Sequence, residues 1–384
     1  MFTWQHCERR SATTRGLRPT SKPSWGQGIA SSLQSGLIPA TRSHSHRARW
    51  RVPSNFTNLS AAAGLTCCPG SYFELPAAVD AFRSAIEIDP TYAPAHAGLA
   101  RARCLQAVFR AAPHQEAFTG AKASALRALA MDSGSADAQV ALGTVLFFSG
   151  WDWTAAERSL RRALEINPDH TEALLQYGSL QEALGRLDDG LRCKQQALAR
   201  DPRSPGVLVQ IAISYWHQRK YDDTLVWAQR ALDVDPKHVL ACQLINHVYW
   251  KIGDVNRFAA WTVSQAIAWG FSEERVAVLK QVTADTQQVY ATAGLAGVRR
   301  FMVDQIKNPQ LDFDISLKMA FFRAALYGAA GRLDEAFDCL DQAIAYRDPA
   351  LVHLAVAPEW DSLRGDPRFA ERLRSMALPF FGES

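Results

Sequence analysis

Most of the chain carries apolar residues at intervals of three and four among alanines and charged residues, which is the spacing of amphipathic helices. The pattern starts near Tyr72 and is clearest from 153 to 236. There, three stretches end in the same way: Ala163–Pro168 (ALEINP), Ala197–Pro202 (ALARDP) and Ala231–Pro236 (ALDVDP). Because the prolines fall at 168, 202 and 236, successive units are 34 residues long. A repeat of that length predicts stacked pairs of antiparallel helices.

Small residues recur at matching places in these units, which indicates where paired helices come closest. A short helix pair cannot bury its apolar faces alone, so neighbouring pairs must stack and share a core. Counting back from each closing position gives the small residues Ala100, Gly143, Gly178 and Ala212 on first helices, and Ala78, Ala156, Gly190 and Thr224 on second helices. The fold class predicted is therefore all-α: a right-handed superhelical solenoid of antiparallel helix pairs.

The periodicity also sets the expected domain boundaries. Residues 1–70 lack it and are rich in Ser, Arg and Pro, so we expect a disordered basic tail there. A plain tail, a transit peptide and upstream sequence that does not belong to the folded product are all compatible with that composition. Residues 71–270 form the predicted repeat array, and 271–310 an irregular helical segment. Residues 311–384 are expected to hold a last repeat-like unit and a C-terminal cap.

Charge is distributed unevenly, and this bears on possible partners. The chain has a net charge of +4, with 48% hydrophobic and 21% charged residues. The basic residues of the tail account for more than this net charge, which leaves the repeats mildly acidic and argues against nucleic-acid binding by the folded part. The longest apolar run, Val140–Phe148, is too short to span a bilayer. We expect a cytoplasmic protein, or a periplasmic one if it is tethered to a membrane regulator.

No arrangement of residues typical of catalysis or metal binding stands out. The seven cysteines contain no Cys-x-x-Cys pair, and the chain shows no phosphate-binding glycine loop. Acidic pairs such as Asp188-Asp189 stand at predicted helix starts, where carboxylates complement the helix dipole. We therefore expect a protein that is not an enzyme and needs no cofactor or metal. A catalytic centre within 272–310 is the alternative, although no motif there supports it.

The closing motifs and the 34-residue period resemble the tetratricopeptide repeat family. Further features, Trp151-Asp-Trp153, Arg347-Asp-Pro349 and 361–369 (DSLRGDPRF), are similar to the C-terminal repeat region of bacterial multidomain signalling proteins. The resemblance implies a scaffold or adaptor that binds a protein or peptide. The alternative that it implies is an effector-sensing module of a transcription-regulator or adenylate-cyclase system, separated from its output domain.

In that family the first helices line a concave groove, and the resemblance implies which side chains face it here. The candidate partner-binding residues are Val140, Thr144, Phe147, Gln176, Ser179, Glu182, Gln210, Ile213, Trp216, His247, Trp250 and Lys251. Phe147, Trp216 and Trp250 occupy equivalent places in their units, so they could anchor a partner peptide. Alternatively, the rings pack against a neighbouring helix or against a folded-back C-terminal segment.

Overall fold

The computed structural model describes residues 69–311 and 315–379, and within these ranges the chain forms fifteen α-helices. The disordered tail predicted for residues 1–70 lies outside the described residues, except for its last two positions. The helices are α1 Pro69–Ile88, α2 Ala93–Val108, α3 His114–Met131, α4 Ala136–Val145, α5 Trp153–Ile166, α6 Thr171–Ala183, α7 Leu187–Arg200, α8 Pro205–His217, α9 Tyr221–Val234, α10 Val239–Ile252, α11 Val255–Ala268, α12 Glu273–Asp304, α13 Ala320–Ala329, α14 Leu333–Ala345 and α15 Pro367–Ser375.

Polar caps begin four of the first helices, α4, α6, α8 and α10. The side chains of Ser135, His170, Ser204 and His238 each accept a hydrogen bond from the backbone N–H three residues later. Such caps satisfy N–H groups that have no partner within the helix. At the other end of α10, Gly253 takes the left-handed conformation (φ 75°) that glycine adopts without strain. Local sequence therefore defines where these helices start and stop.

The close approach of paired helices confirms the predicted solenoid of helix pairs. A Cβ atom added to Gly178 in α6 would lie 2.8 Å from the carbonyl oxygen of Gly190 in α7. One added to Gly143 in α4 would lie 2.7 Å from Leu160 in α5. Larger residues at these places would force the helices apart.

Two departures from regular geometry divide the array. Helix α4 continues into a π-helical turn, Leu146–Gly150, before Trp151 takes a left-handed conformation (φ 50°). Helix α12 is broken at Gly294 (φ 63°, ψ −167°), so that it consists of two helical stretches. This segment follows the regular repeats and precedes the last pair, α13 and α14. None of the helices in the described ranges is both long and apolar enough to cross a membrane.

After α14 the chain turns back onto the array, and we call residues 347–379 the C-terminal segment. It contains two short 3-10 turns, Pro349–His353 and Pro358–Trp360, followed by α15. Leu351, Leu354 and Leu363 are fully buried in it. They share one hydrophobic cluster with residues of α4, α5 and α14. The C-terminal segment is therefore part of the protein core.

Candidate functional site: the concave face

The predicted groove residues lie on the first helices α4, α6, α8 and α10 and on the π-helical turn after α4. The C-terminal segment packs along much of that surface. Phe147, in the π-helical turn after α4, is fully buried. Its ring makes edge-on contacts with Trp153 (centroids 5.8 Å apart) and His353 (6.0 Å). His353 Nε2 in turn donates to the carbonyl oxygen of Ser179 in α6 (3.2 Å). Burial lowers the pKa of His353 to about 3, so this ring is neutral near pH 7.

Further along the face, side chains of α8 and α10 hold the acidic part of the C-terminal segment. Trp216 is only 3% exposed, and its Nε1 donates to both carboxylate oxygens of Glu359 (3.3 Å each). His247 Nδ1 lies 3.8 Å from the same carboxylate. Lys251 Nζ donates to the carbonyl oxygen of Pro358 (2.6 Å). Three of the predicted groove residues, Trp216, His247 and Lys251, thus contact the C-terminal segment of the same chain.

Asp361 is the centre of a small ion-pair network. Its carboxylate accepts hydrogen bonds from Arg219, Lys251 (2.9 Å) and Arg364 (3.0 Å). Burial would raise the pKa of Asp361, but the hydrogen bonds from Arg219 and Lys251 hold it below its usual value. The network links the turn between α8 and α9, α10 and the C-terminal segment.

Beneath this surface lies a buried pair of opposite charges, Glu182 in α6 and Lys194 in α7. Both side chains are fully buried, and Lys194 Nζ lies 2.9 Å from the Glu182 carboxylate. Ser214 Oγ and His217 Nδ1 (3.0 Å), both from α8, also donate to that carboxylate. Burial would raise the pKa of Glu182, but Lys194 and His217 together lower it to about 2. Lys194 also donates to the carbonyl oxygen of Gln210 (3.2 Å).

The Glu182 cluster has the residue types of a metal site. Single ligand atoms of Glu182, His217 and His353 lie within 4.8 Å of one another. However, the two carboxylate oxygens already accept hydrogen bonds from Lys194, Ser214 and His217. A metal cation there would be placed beside the buried Lys194 ammonium. The arrangement is that of a charge-balanced link between three helices.

Two remaining predicted residues lie within apolar packing. Ile213 is half-buried against the cluster formed by α8 to α10. Trp250 packs on Phe258 of α11 (centroids 5.6 Å apart) and is partly buried. Like Phe147, these two side chains contact neighbouring helices or turns of the same chain.

The N-terminal part of the face is different, because it holds a recess between α2, α4 and α6. Val140, Thr144 and Gln176 line it, together with Arg101 and Cys104 of α2. The predicted residues did not include Arg101 and Cys104. Each stands 43 residues before its equivalent, Thr144 or Phe147, the same offset as from Ala100 to Gly143, so that extending the alignment back by one unit would have found them. We call this site the α2/α4/α6 recess.

A chain of polar contacts crosses the α2/α4/α6 recess. Arg101 Nη2 donates to Glu172 Oε2 (3.1 Å), and Gln176 Nε2 donates to Glu172 Oε1 (2.9 Å). Gln176 is 1% exposed, and its carbonyl oxygen, Oε1, has no hydrogen-bond partner among the described residues. Thr144 donates its hydroxyl to the Val140 carbonyl oxygen (2.8 Å) and so keeps acceptor capacity.

Comparison with known proteins gives a family match over part of the array. Residues 152–205 match the family described as tetratricopeptide repeat. None of the curated proteins matches the sequence. The matched residues run from the start of α5 to the start of α8, where the 34-residue period is most regular.

Solved structures also resemble the chain, and human IFIT1 does so with a TM-score above 0.5. Human IFIT1, solved as a dimer with m7Gppp-AAAA, is 16% identical and aligns over 83% of this chain and 75% of its own, with a TM-score of 0.52. YrrB, described as a tetratricopeptide repeat protein with an unusual peptide-binding site, is 22% identical over 56% of this chain and 97% of its own (TM-score 0.31). PilF of Pseudomonas aeruginosa is 18% identical over 59% and 97% (TM-score 0.38). The 34-residue period, the close helix pairs and the family match together show that the chain contains tetratricopeptide repeats.

Proposed function

We propose that this protein is a non-catalytic adaptor that binds a segment of a partner protein on its concave face. Tetratricopeptide repeat arrays are protein-interaction scaffolds, and this chain has that architecture. The finer proposal concerns where on the array the partner binds and what kind of segment it presents.

The observation that carries the proposal is the way the concave face holds the protein's own C-terminal segment. Side chains of the array bind that segment partly through its backbone: Lys251 contacts the Pro358 carbonyl oxygen, and Trp153 Nε1 donates to the Met376 carbonyl oxygen (2.8 Å). Contacts of this kind suit an extended or irregular chain. These contacts support the proposal that side chains of the array can bind a polypeptide segment through its backbone.

Eight of the twelve predicted groove residues fall into two groups with respect to this segment. Phe147, Ser179, Trp216, His247 and Lys251 contact the C-terminal segment. Val140, Thr144 and Gln176 line the α2/α4/α6 recess instead. A partner that leaves the C-terminal segment in place would meet the second group, so we place the partner site at the recess.

A selection of peptides followed by crosslinking tests this function. A random twelve-residue peptide library displayed on phage would be panned on the full-length protein, and enriched peptides synthesised. A photoreactive phenylalanine analogue would replace Val108, a half-buried residue lining the recess, or Val226, which is 58% exposed on the second helix α9. We expect crosslinks from position 108 and none from position 226, which serves as the matched control.

The outcome decides between positions on the array. Crosslinking from 226 as strong as from 108 would mean that peptides bind elsewhere, and the placement would be wrong. If no peptide is enriched, the adaptor proposal fails, and the regulatory-module alternative with a small effector becomes the better explanation. Circular dichroism of both substituted proteins would establish that they remain folded.

A further inference from the structure

Three turns that are far apart in sequence meet at one edge of the array. We call them the three-turn patch, which consists of residues 109–113, 150–152 and 346–348. His114 Nε2, at the end of the first turn, donates to the Tyr346 carbonyl oxygen (2.8 Å). Arg347 Nη1 donates to the Gly150 carbonyl oxygen (3.0 Å) and so joins the second turn to the third. These contacts give the patch a defined geometry.

Each of the three turns contains a residue other than glycine in the left-handed conformation. These residues are Arg110 (φ 56°), Trp151 (φ 50°) and Arg347 (φ 51°). A side chain makes this conformation costly, whereas Gly185 adopts it without strain after α6. Contacts must therefore offset the cost at each turn. For Arg110 the contact is an ion pair with Asp348, whose side chain is only 4% exposed.

Trp151 and Arg347 differ from Arg110, because their mutual contact leaves both side chains partly at the surface. The guanidinium carbon of Arg347 lies 5.3 Å from the centre of the Trp151 ring, which is the range of a cation–π contact. Arg347 is exposed, and among the described residues it forms no ion pair and donates only to Gly150. The neighbouring Tyr346 side chain is 54% exposed. The patch therefore presents an oriented cation with unused donors beside two aromatic rings.

This chemistry indicates the kind of partner that the patch can bind. A planar guanidinium with unused N–H groups suits a carboxylate, which it can bind through two parallel hydrogen bonds. The patch's own carboxylates are engaged: Asp348 pairs with Arg110, and Asp152 accepts a hydrogen bond from the Ala155 backbone N–H (3.0 Å). Arginine, tryptophan and tyrosine dominate the binding energy of protein interfaces, and strained residues cluster at binding sites.

We propose that the three-turn patch binds an acidic segment of a partner protein. An Asp or Glu carboxylate of that segment pairs with Arg347, and a neighbouring apolar side chain packs against Trp151 and Tyr346. The patch contains none of the predicted groove residues and is a second interaction surface, at the turns of the array rather than on its first helices. The inference goes beyond the function proposed above and does not depend on the α2/α4/α6 recess.

A subtractive peptide selection tests the proposal. A random twelve-residue phage library would be depleted on full-length Arg347→Gly and then panned on the wild-type protein. Arg347→Gly removes the guanidinium and keeps the left-handed turn, which glycine adopts without strain, so we expect this variant to fold. Arg127→Ala is the matched control, because Arg127 is exposed on α3 and also forms no ion pair among the described residues.

We expect the enriched peptides to carry Asp or Glu close to an apolar residue. In fluorescence anisotropy titrations, Arg347→Gly should weaken binding by about 10- to 100-fold, the range for a hydrogen bond to a charged group. Replacing the peptide's Glu with Gln should have a similar effect, and the two changes together should weaken binding little more than either alone. Arg127→Ala should leave the affinity unchanged.

A crosslinking measurement gives a second readout on the otherwise unchanged protein. A photoreactive phenylalanine analogue would replace Tyr346, which is exposed and similar in shape. We expect it to crosslink to the acidic peptide and not to the version with Gln. This measurement is decisive even if Arg347→Gly fails to fold.

Three results would overturn the inference. The first is a selection that enriches no peptide, or only peptides without acidic residues. The second is equal weakening by Arg347→Gly and Arg127→Ala, which would indicate non-specific attraction between charges. The third is an acidic peptide that binds without crosslinking at position 346. Each of these results leaves crosslinking at position 108, and with it the adaptor site, to be judged separately.

Discussion

Replacing Lys194 with methionine should destabilise the protein far more than a typical substitution of a charged residue. Lys194 and Glu182 are both fully buried and lie 2.9 Å apart. Methionine would fill similar space but remove the cation, so that the Glu182 carboxylate would keep only the hydrogen bonds from Ser214 and His217. The Gln210 carbonyl oxygen would also lose its hydrogen bond from Lys194 (3.2 Å).

The expected magnitude follows from the burial of the remaining carboxylate. Removing one partner of a buried ion pair typically costs about 3 to 5 kcal/mol, because the other charge is left uncompensated. For a urea m-value of about 2 kcal/mol/M, the unfolding midpoint would fall by about 1.5 to 2.5 M. Unfolding should be followed by both circular dichroism and tryptophan fluorescence, since repeat arrays can unfold in parts.

A control variant and a double variant distinguish the loss of the buried ion pair from the general effect of replacing a charged residue in this helix. Arg192→Met, on the same helix, removes an ion pair with Asp189 whose side chains are 70% and 46% exposed, and should cost about 0 to 1 kcal/mol. The double variant Lys194→Met/Glu182→Met should lose less stability than the sum of the two single variants. A midpoint for Lys194→Met as high as that of Arg192→Met would show that the buried pair does not stabilise the array.

Two further predictions concern packing and pH. Gly178→Ala should lower the free energy of unfolding by about 1 to 3 kcal/mol, because the added Cβ would lie 2.8 Å from the Gly190 carbonyl oxygen. The control is Gly134→Ala, in an exposed turn, which should have little effect in the same urea titration. An equal shift for both would contradict the close approach of α6 and α7. Burial lowers the pKa of His238 to about 4 and that of His353 to about 3, both below the unfolded value near 6.5. Their contribution to stability should therefore be complete above pH 6.5 and should decline as the pH falls toward 4, by about 1 kcal/mol per pH unit for each histidine. Urea unfolding midpoints in a series of buffers would measure this decline. A midpoint that stays constant between pH 7 and pH 5 would refute the prediction.

The repeat architecture was predictable because its determinants are local. Helix starts, closing prolines and small residues recur within each 34-residue unit, so that Gly178 and Gly190 could be placed at a close helix approach from spacing alone. The structure confirms that approach in detail. Only the irregularities needed coordinates: the π-helical turn after α4 and the break at Gly294 have no counterpart in the repeat pattern.

The surroundings of the groove residues were less predictable, because they depend on contacts between distant parts of the chain. Asp361 is 110 residues away from Lys251 and 142 from Arg219 in sequence, yet contacts both. The sequence left open whether Trp216 faces a partner or a folded-back segment, and here it binds Glu359 of that segment. Lys194 lies in a helix with many polar residues, so the sequence gives no sign that its side chain is buried. The burial becomes clear only when Glu182 is seen on the facing helix.

The energetics of the C-terminal segment favour the recess over the rest of the groove as the partner site. Leu351, Leu354, Leu363, Phe369 and Leu373 are all fully buried. At about 1.5 to 3 kcal/mol each, exposing these side chains would cost roughly 8 to 15 kcal/mol. Micromolar binding supplies only about 8 kcal/mol, so a partner that had to displace the segment would retain little or no net affinity. A partner that binds at the α2/α4/α6 recess avoids this cost, because the segment stays in place. We therefore expect the surface around Trp216 and Lys251 to stabilise the fold, and the surface around Thr144 and Gln176 to recognise the partner.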